Sequence, residues 1–206
     1  MSSSPHASKS AVLDAALEVI RAKGYAATTL DDLCAVAGVT KGSFFHHFAG
    51  KEDMTLAAIE HWNRVTGELF EHAGYQRKKD PRDRVLGYID FRKALLQGEA
   101  QEYTCLLGTL VQETFATHPR LRDACNAGIS AHAGTVARDI AAAKALHSPD
   151  ARWDPQALAL FTQAALQGAF VLAKARGNAA VAGECVDHLR HHVAHLLGAK
   201  PRRSPS

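Results

Sequence analysis

Residues 38–47 read GVTKGSFFHH. Phe44 and Phe45 stand side by side in a segment barely two helical turns long. Each helical residue advances about 100°, so with Phe44 at zero, Phe48 falls at about 40° and shares its face. Gly42 and His46 fall on the far side, at about 160° and 200°, with Phe45 and Ser43 about 100° to either hand. Phe45 therefore cannot reach the core that Phe44 occupies. An exposed ring beside a glycine and a histidine calls for a partner surface.

The flanking text is helical and well punctuated. In TTLDDLCAVAG (28–38), Thr29 serves as N-cap and Asp32 stands at the third helical position, a capping-box variant. Leu33 and Val36 are the apolar residues of that short helix, and Gly38 ends it. Before it, Val12, Ala15, Ala16, Val19 and Ile20 sit at helical spacing until Gly24. After it, Thr40 caps a helix to about His47, and Lys51 opens a fourth that reaches roughly Glu71. Five more helices are predicted near 82–98, 101–116, 119–146, 155–176 and 179–198, with Pro119 and Pro155 at first helical positions and Asp154 as a cap. Strand signals and repeats are absent. The expected fold is all-α with about nine helices: an N-terminal three-helix domain at 8–54, a larger helical domain at 55–200, and flexible tails at 1–7 and 201–206.

Bulk composition suits an ordinary soluble protein, with 206 residues of which 47% are hydrophobic and 22% charged. No unbroken apolar run reaches the ~18 residues of a membrane span. The opening MSSSPHASKS lacks the apolar middle of a signal peptide, so a cytoplasmic protein is expected. Cys34, Cys105, Cys125 and Cys185 form no CxxC pair and read as free thiols. The net charge is +3, yet residues 1–55 hold five Lys or Arg against six Asp or Glu. A nucleic-acid reader usually shows a basic excess. Here any DNA argument must rest on geometry. The basic clusters QRKKDPRDR (76–84) and KPRRSPS (200–206) read as solvated surface.

Two short helices joined by a tight turn at Gly38 make a helix-turn-helix, whose second helix enters the DNA major groove. The same spacing also fits a buried helical hairpin. On the first reading, Gly42 lets the helix N-terminus approach the groove floor. Thr40, Lys41 and Ser43 offer donors where free backbone N–H groups already favour phosphate. Phe45 lies on a thymine methyl. His46, His47, Lys51 and Thr29 reach the flanking phosphates.

TTLDDLCAVAGVTKGSFFHHFAGKEDM (28–54) resembles the DNA-binding motif of the TetR family of transcriptional regulators. The likeness runs over residues 8–68, with its motif at 29–48. It implies three N-terminal helices for DNA and a C-terminal domain for ligand binding and dimerisation. It also implies DNA contacts from Thr29, Thr40, Lys41, Gly42, Phe45, His47 and Lys51. The family usually has Tyr where this chain has Phe45, which makes the contact there apolar; Cys34, where Ala is usual, is a small buried change. The implied protein is a homodimeric repressor on a palindromic double-stranded operator, released by a small-molecule effector. No cofactor, metal or catalysis is implied.

The remaining helices say less. LALFTQAALQGAFVLAKA (158–175) carries small residues at Ala164, Gly168 and Ala169. With CVDHLRHHVAHLL (185–197) it offers half of a four-helix dimer interface, so the homodimer is placed on helices 155–176 and 179–198. Gln163 and Gln167 either bond across that dimer, the preferred reading, or face a ligand. Trp62, Phe91, Tyr103, Cys105, Phe115, Trp153, Gln167 and Phe170 are candidate effector-pocket residues. Cys105 is packing or a redox and electrophile sensor, and no Lys, Arg or His lies within four positions to activate it. His188, His192 and His195 have metal-ligand spacing on one helical face but equally suit a polar face beside a dimer seam. A metal-dependent enzyme using His188–His195 is the weakest reading, because no base and orienting carboxylate accompany them.

Overall fold

The computed structural model describes residues 5–199, so residues 1–4, 200–206 and the basic end segment lie outside the described residues. Among the described residues ten α-helices are present: α1 (Pro5–Lys23), α2 (Leu30–Ala37), α3 (Lys41–His47), α4 (Lys51–Glu71), α5 (Pro81–Ala94), α6 (Ala100–Tyr103), α7 (Leu106–Thr114), α8 (Pro119–His147), α9 (Pro155–Arg176) and α10 (Ala180–Leu196). A 3₁₀ turn, Gly74–Arg77, precedes α5. No strand occurs among the described residues. The all-α expectation holds, with one more helix than foreseen. α1 begins at Pro5, so residues 5–7 are helical rather than tail.

The chain divides into two compact units, one running to residue 68 and including 99–129, the other 69–98 and 130 onward. In the first, α1 buries Val12, Ala16 and Ile20 against Leu33, Phe44, Phe48, Met54 and Ile59. Leu106, Leu110, Leu121 and Cys125 complete the same core, so α7 and the start of α8 support the three N-terminal helices directly. Phe44 is fully buried, which contributes about 2–3 kcal/mol.

The helix predicted at 101–116 is broken. Thr104 and Cys105 are extended, ending α6 and starting α7. The Thr104 hydroxyl donates to Ala100 O at 2.7 Å, and Arg21 Nη1 donates to the carbonyls of Glu102 and Thr104 at 3.3 and 3.4 Å. Carbonyls released from the helix thus find a guanidinium on α1, a partner that no local pattern reveals.

In the second unit α5, α9, α10 and the later turns of α8 bury Val85, Tyr88, Ile89, Ile140, Leu158, Leu166, Phe170, Val186, Leu189 and Val193. The stretch 76–84 is only partly solvated surface. Asp80 caps α5 at Arg82 N, 2.8 Å, and pairs with His147 at 2.8 Å, while Arg84 pairs with Asp139 at 2.8 Å. Gln163 is buried and its Nε2 donates to Tyr88 Oη at 3.0 Å, which overturns the preferred dimer role for that residue. Among the described residues α9 is the one helix long and apolar enough to cross a membrane by length and composition only, a test that a buried core helix also passes. Polar Thr162, Gln163 and Gln167 interrupt its apolar run, yet it reaches a mean hydropathy of 1.3, with 44% of that window buried.

Candidate nucleic-acid interface

The helix-turn-helix is held by bonds that close within a few residues. Thr29 Oγ1 accepts from Asp32 N at 3.2 Å and the Asp32 carboxylate accepts from Thr29 N at 2.8 Å, completing the capping box. Gly38 ends α2 at φ 64°, a left-handed conformation that side chains disfavour. Thr40 Oγ1 then caps α3 by accepting from Ser43 N at 3.1 Å.

α3 splits its aromatic pair. Phe44 is 0% exposed and Phe45 54%, with the rings edge-to-face at 5.4 Å between centroids. Gly42 lies on the open side. A Cβ built there meets only Thr40 Oγ1, at an ordinary 3.7 Å. Its backbone is not in the positive-φ region either. Nothing within the protein requires a glycine at 42.

The other candidates divide by exposure. Thr29, Thr40, Lys41 and His46 are exposed, whereas Ser43, His47 and Lys51 are half-buried. Lys41 pairs with Asp31 at 2.6 Å, which raises its ammonium above the ordinary range. His47 Nε2 is 2.7 Å from Ser8 Oγ of α1, so one ring nitrogen is already engaged. Lys51 Nζ lies 4.3 Å from the Tyr25 ring centroid and 3.5 Å from Ala26 O, and burial pulls its ammonium below the ordinary range. Lys23 and Thr29 hold the Asp32 carboxyl well below the usual carboxylate range. Glu113 of α7 accepts from Tyr25 N and Ala26 N at 3.2 and 2.9 Å, fixing the turn between α1 and α2. Cys34 is buried as expected, but Val36, expected with Leu33 among the apolar contacts, is 49% exposed.

The pocket candidates are divided between the two units. Trp62, Tyr103, Cys105 and Phe115 belong to the first unit, and Phe91, Trp153, Gln167 and Phe170 to the second. Trp62 is half-buried under the Arg21 guanidinium at 5.0 Å. Phe115 is 60% exposed at the end of α7. Lys144 sits 5.1 Å over the Trp153 ring and donates to Trp153 O at 2.8 Å, tying a loop to α8. Cys105 lies beside Arg21, and Cys125, at 0% exposure, is pushed up to about 12 by burial.

Phe91 and Phe170 join an aromatic cluster that spacing did not reveal. Phe70 packs on Phe91, Tyr88 and His132 at 5.7, 5.7 and 4.8 Å, and Tyr75 packs on Phe91 at 5.9 Å. The Arg92 guanidinium lies 5.4 Å from the Phe70 centroid and 5.5 Å from that of Phe170. His132, a polar residue flanked by alanines in α8, was the only sequence signal. The exposed His188, His191, His192 and His195 form no ligand set, and among the described residues no three His, Cys, Asp or Glu come together to hold a metal.

Residues 12–58 match the family model "Bacterial regulatory proteins, tetR family", and residues 81–189 match "Tetracyclin repressor-like, C-terminal domain". The transcriptional regulator AcuR of Cereibacter sphaeroides is 29% identical over 163 residues, covering 79% of this chain and 74% of that protein. A crystal structure of regulatory protein TetR from Rhodobacter sphaeroides superposes with TM-score 0.80 at 26% identity, covering 89% of this chain and 97% of that one. A TetR transcriptional regulator from Chloroflexus aurantiacus has the same fold, with TM-score 0.80 at 24% identity over 92% and 96% of the two chains.

Proposed function

This chain belongs to the tetR family of bacterial regulatory proteins, and on that premise we propose a cytoplasmic repressor that binds a palindromic operator as a homodimer and leaves it when a small molecule binds. The observation that carries this reading is the split pair on α3, with Phe44 buried and Phe45 54% exposed. Residues 8–54 read DNA and residues 55–200 hold the effector and the dimer contact. Phe45 packs on a thymine methyl, and Gly42 brings the start of α3 against the bases. Thr29, Thr40, Lys41, Ser43, His46, His47 and Lys51 reach phosphates.

The dimer contact is supported by the outward side of α9. Leu160, Phe161, Val171 and Leu172 are 46–48% exposed, and between them a Cβ at Gly168 meets nothing within 4 Å. His192 of α10 packs edge-on to Phe161 at 5.4 Å, extending that side. A second copy covers this apolar stripe.

Effector binding favours a state in which the two α3 helices no longer match half-sites about 34–36 Å apart. The coupling is reciprocal, so operator DNA weakens effector binding. A thiol-based variant of the switch is favoured by one observation, that Cys105 is only half-buried whereas Cys34 and Cys125 are buried. It requires operator release by peroxide or an electrophile in the wild type and not in Cys105→Ser.

Selection of bound duplexes from random DNA by the purified protein tests the main reading. A two-fold symmetric consensus with half-sites one helical turn apart is expected. An asymmetric or featureless pool would refute the homodimeric operator reader.

A further inference from the structure

Several cations of the second unit have an anion. Arg84 pairs with Asp139 at 2.8 Å, Lys93 with Asp187 at 2.6 Å, and Arg190 with Asp90 at 2.5 Å. Arg92, on the same helix as Arg84 and Lys93, has none. It is half-buried, and among the described residues no carboxylate comes within ion-pair reach of it. Its contacts are the faces of Phe70 and Phe170 at 5.4 and 5.5 Å. Stacking uses the guanidinium's face and leaves its five N–H donors at the edge unspent. Among the described residues no buried side-chain nitrogen or oxygen lacks a partner, so those N–H groups open onto accessible space.

His132 belongs to the same cluster. Its ring packs on Phe70 at 4.8 Å, and its Nε2 lies 2.9 Å from Tyr88 Oη, which accepts from Gln163 Nε2 at 3.0 Å. Burial and the nearby Arg92 charge lower the imidazolium to about 4, so the ring is neutral under ordinary conditions. The cluster therefore holds one formal charge, the positive one on Arg92, with Phe70, Phe91 and Phe170 as its apolar walls.

We propose that this cluster is the effector site and that its ligand is an organic monocarboxylate, its carboxylate on the Arg92 guanidinium and its apolar body among the phenylalanines. The proposal rests on the reading of the chain as an effector-responsive regulator. A single guanidinium with no lysine beside it suits a monoanion better than a phosphate ester.

The test uses the full-length, DNA-free protein in calorimetric titrations with butyrate and benzoate, their amides, and inorganic phosphate. The selected consensus duplex is used in parallel for release assays. At least one carboxylate binds, its amide and phosphate bind far more weakly, and Arg92→Leu loses roughly tenfold to a hundredfold in carboxylate affinity. Arg92→Lys, which keeps the charge but not the fork, recovers part of that loss. Circular dichroism and duplex binding by both variants stay as in the wild type. Failure of both carboxylates to bind, equal binding of acid and amide, equal binding of phosphate, or an unaffected Arg92→Leu each overturns the proposal. Release of the duplex by an amide alone overturns the anion site and leaves the effector-responsive regulator standing. Carboxylate binding that never releases the duplex refutes the effector role.

Discussion

Gly42→Ala separates what the protein needs from what its partner needs. The new methyl meets Thr40 Oγ1 at 3.7 Å and nothing else, and the backbone there is open to any residue. In isolation the change relieves glycine's conformational cost, worth roughly 0.5–1 kcal/mol in a helix interior and towards the lower end so near the start of α3. For a chain of this size that raises the melting temperature by about 1–3 °C. In the complex the same methyl stands where α3 meets the groove, and an added carbon in a packed contact costs about 1–3 kcal/mol, a loss of roughly 5- to 150-fold. Stability and operator affinity therefore move in opposite directions. Thermal unfolding and fluorescence anisotropy with the selected duplex, at one fixed salt concentration, read both. Gly67→Ala is the control: its Cβ is equally unobstructed on exposed α4, so it raises stability and leaves affinity alone. Wild-type affinity in Gly42→Ala would refute the docking of this end of α3, and a lowered melting temperature would refute the packing argument.

Phe45→Ala is expected to cost about 1–3 kcal/mol in specific binding with little change in melting temperature, because the ring is half-exposed; parallel anisotropy and melting checks both. Leu172→Glu places a charge on the exposed stripe of α9 and converts the dimer into a monomer of unchanged helicity, measured by light scattering and circular dichroism. Burial and Arg92 hold His132 at about 4 in the folded chain, below its ordinary value, so the neutral ring is favoured by folding. Its contribution is complete above the unfolded value of about 6.5 and is lost as the pH falls towards 4, on the order of 3 kcal/mol, whereas His132→Gln flattens that part of the denaturation profile.

What could be read in advance follows the range of the interactions. The caps at Thr29 and Thr40 and the left-handed Gly38 involve partners within four residues, and all three stand where the spacing put them. The interruption at Thr104–Cys105 depends on Arg21, more than 80 residues away, and appears in no window of local pattern. The same holds for Ser8 with His47, separated by 39 residues, and for Gln163 with Tyr88, separated by 75. Gln163 looked like an interface residue because its helix is apolar all round. Only the position of Tyr88 on α5 reveals which side is inside. Val36, apolar like Leu33, stays exposed because Leu33 and Cys34 already take the inward side of so short a helix.

The absence of a basic excess in the N-terminal segment has a structural resolution. Its acids are spent locally. Asp32 caps α2 and pairs with Lys23, Asp53 accepts from Ala49 N at 3.0 Å, and Asp31 pairs with Lys41. Between residues 33 and 51 there is no carboxylate at all, and Lys41 and Lys51 are the only formal charges. The segment proposed to meet DNA is therefore locally positive although the segment around it sums to a slight negative charge. Lys41 and Asp31 are both exposed, and such pairs contribute only about 0–1 kcal/mol, so exchanging the carboxylate for a phosphate costs little. With so few cations available, long-range steering is weak and affinity depends on fit. That places the burden on the two uncharged features of α3, the exposed ring of Phe45 and the bare backbone at Gly42.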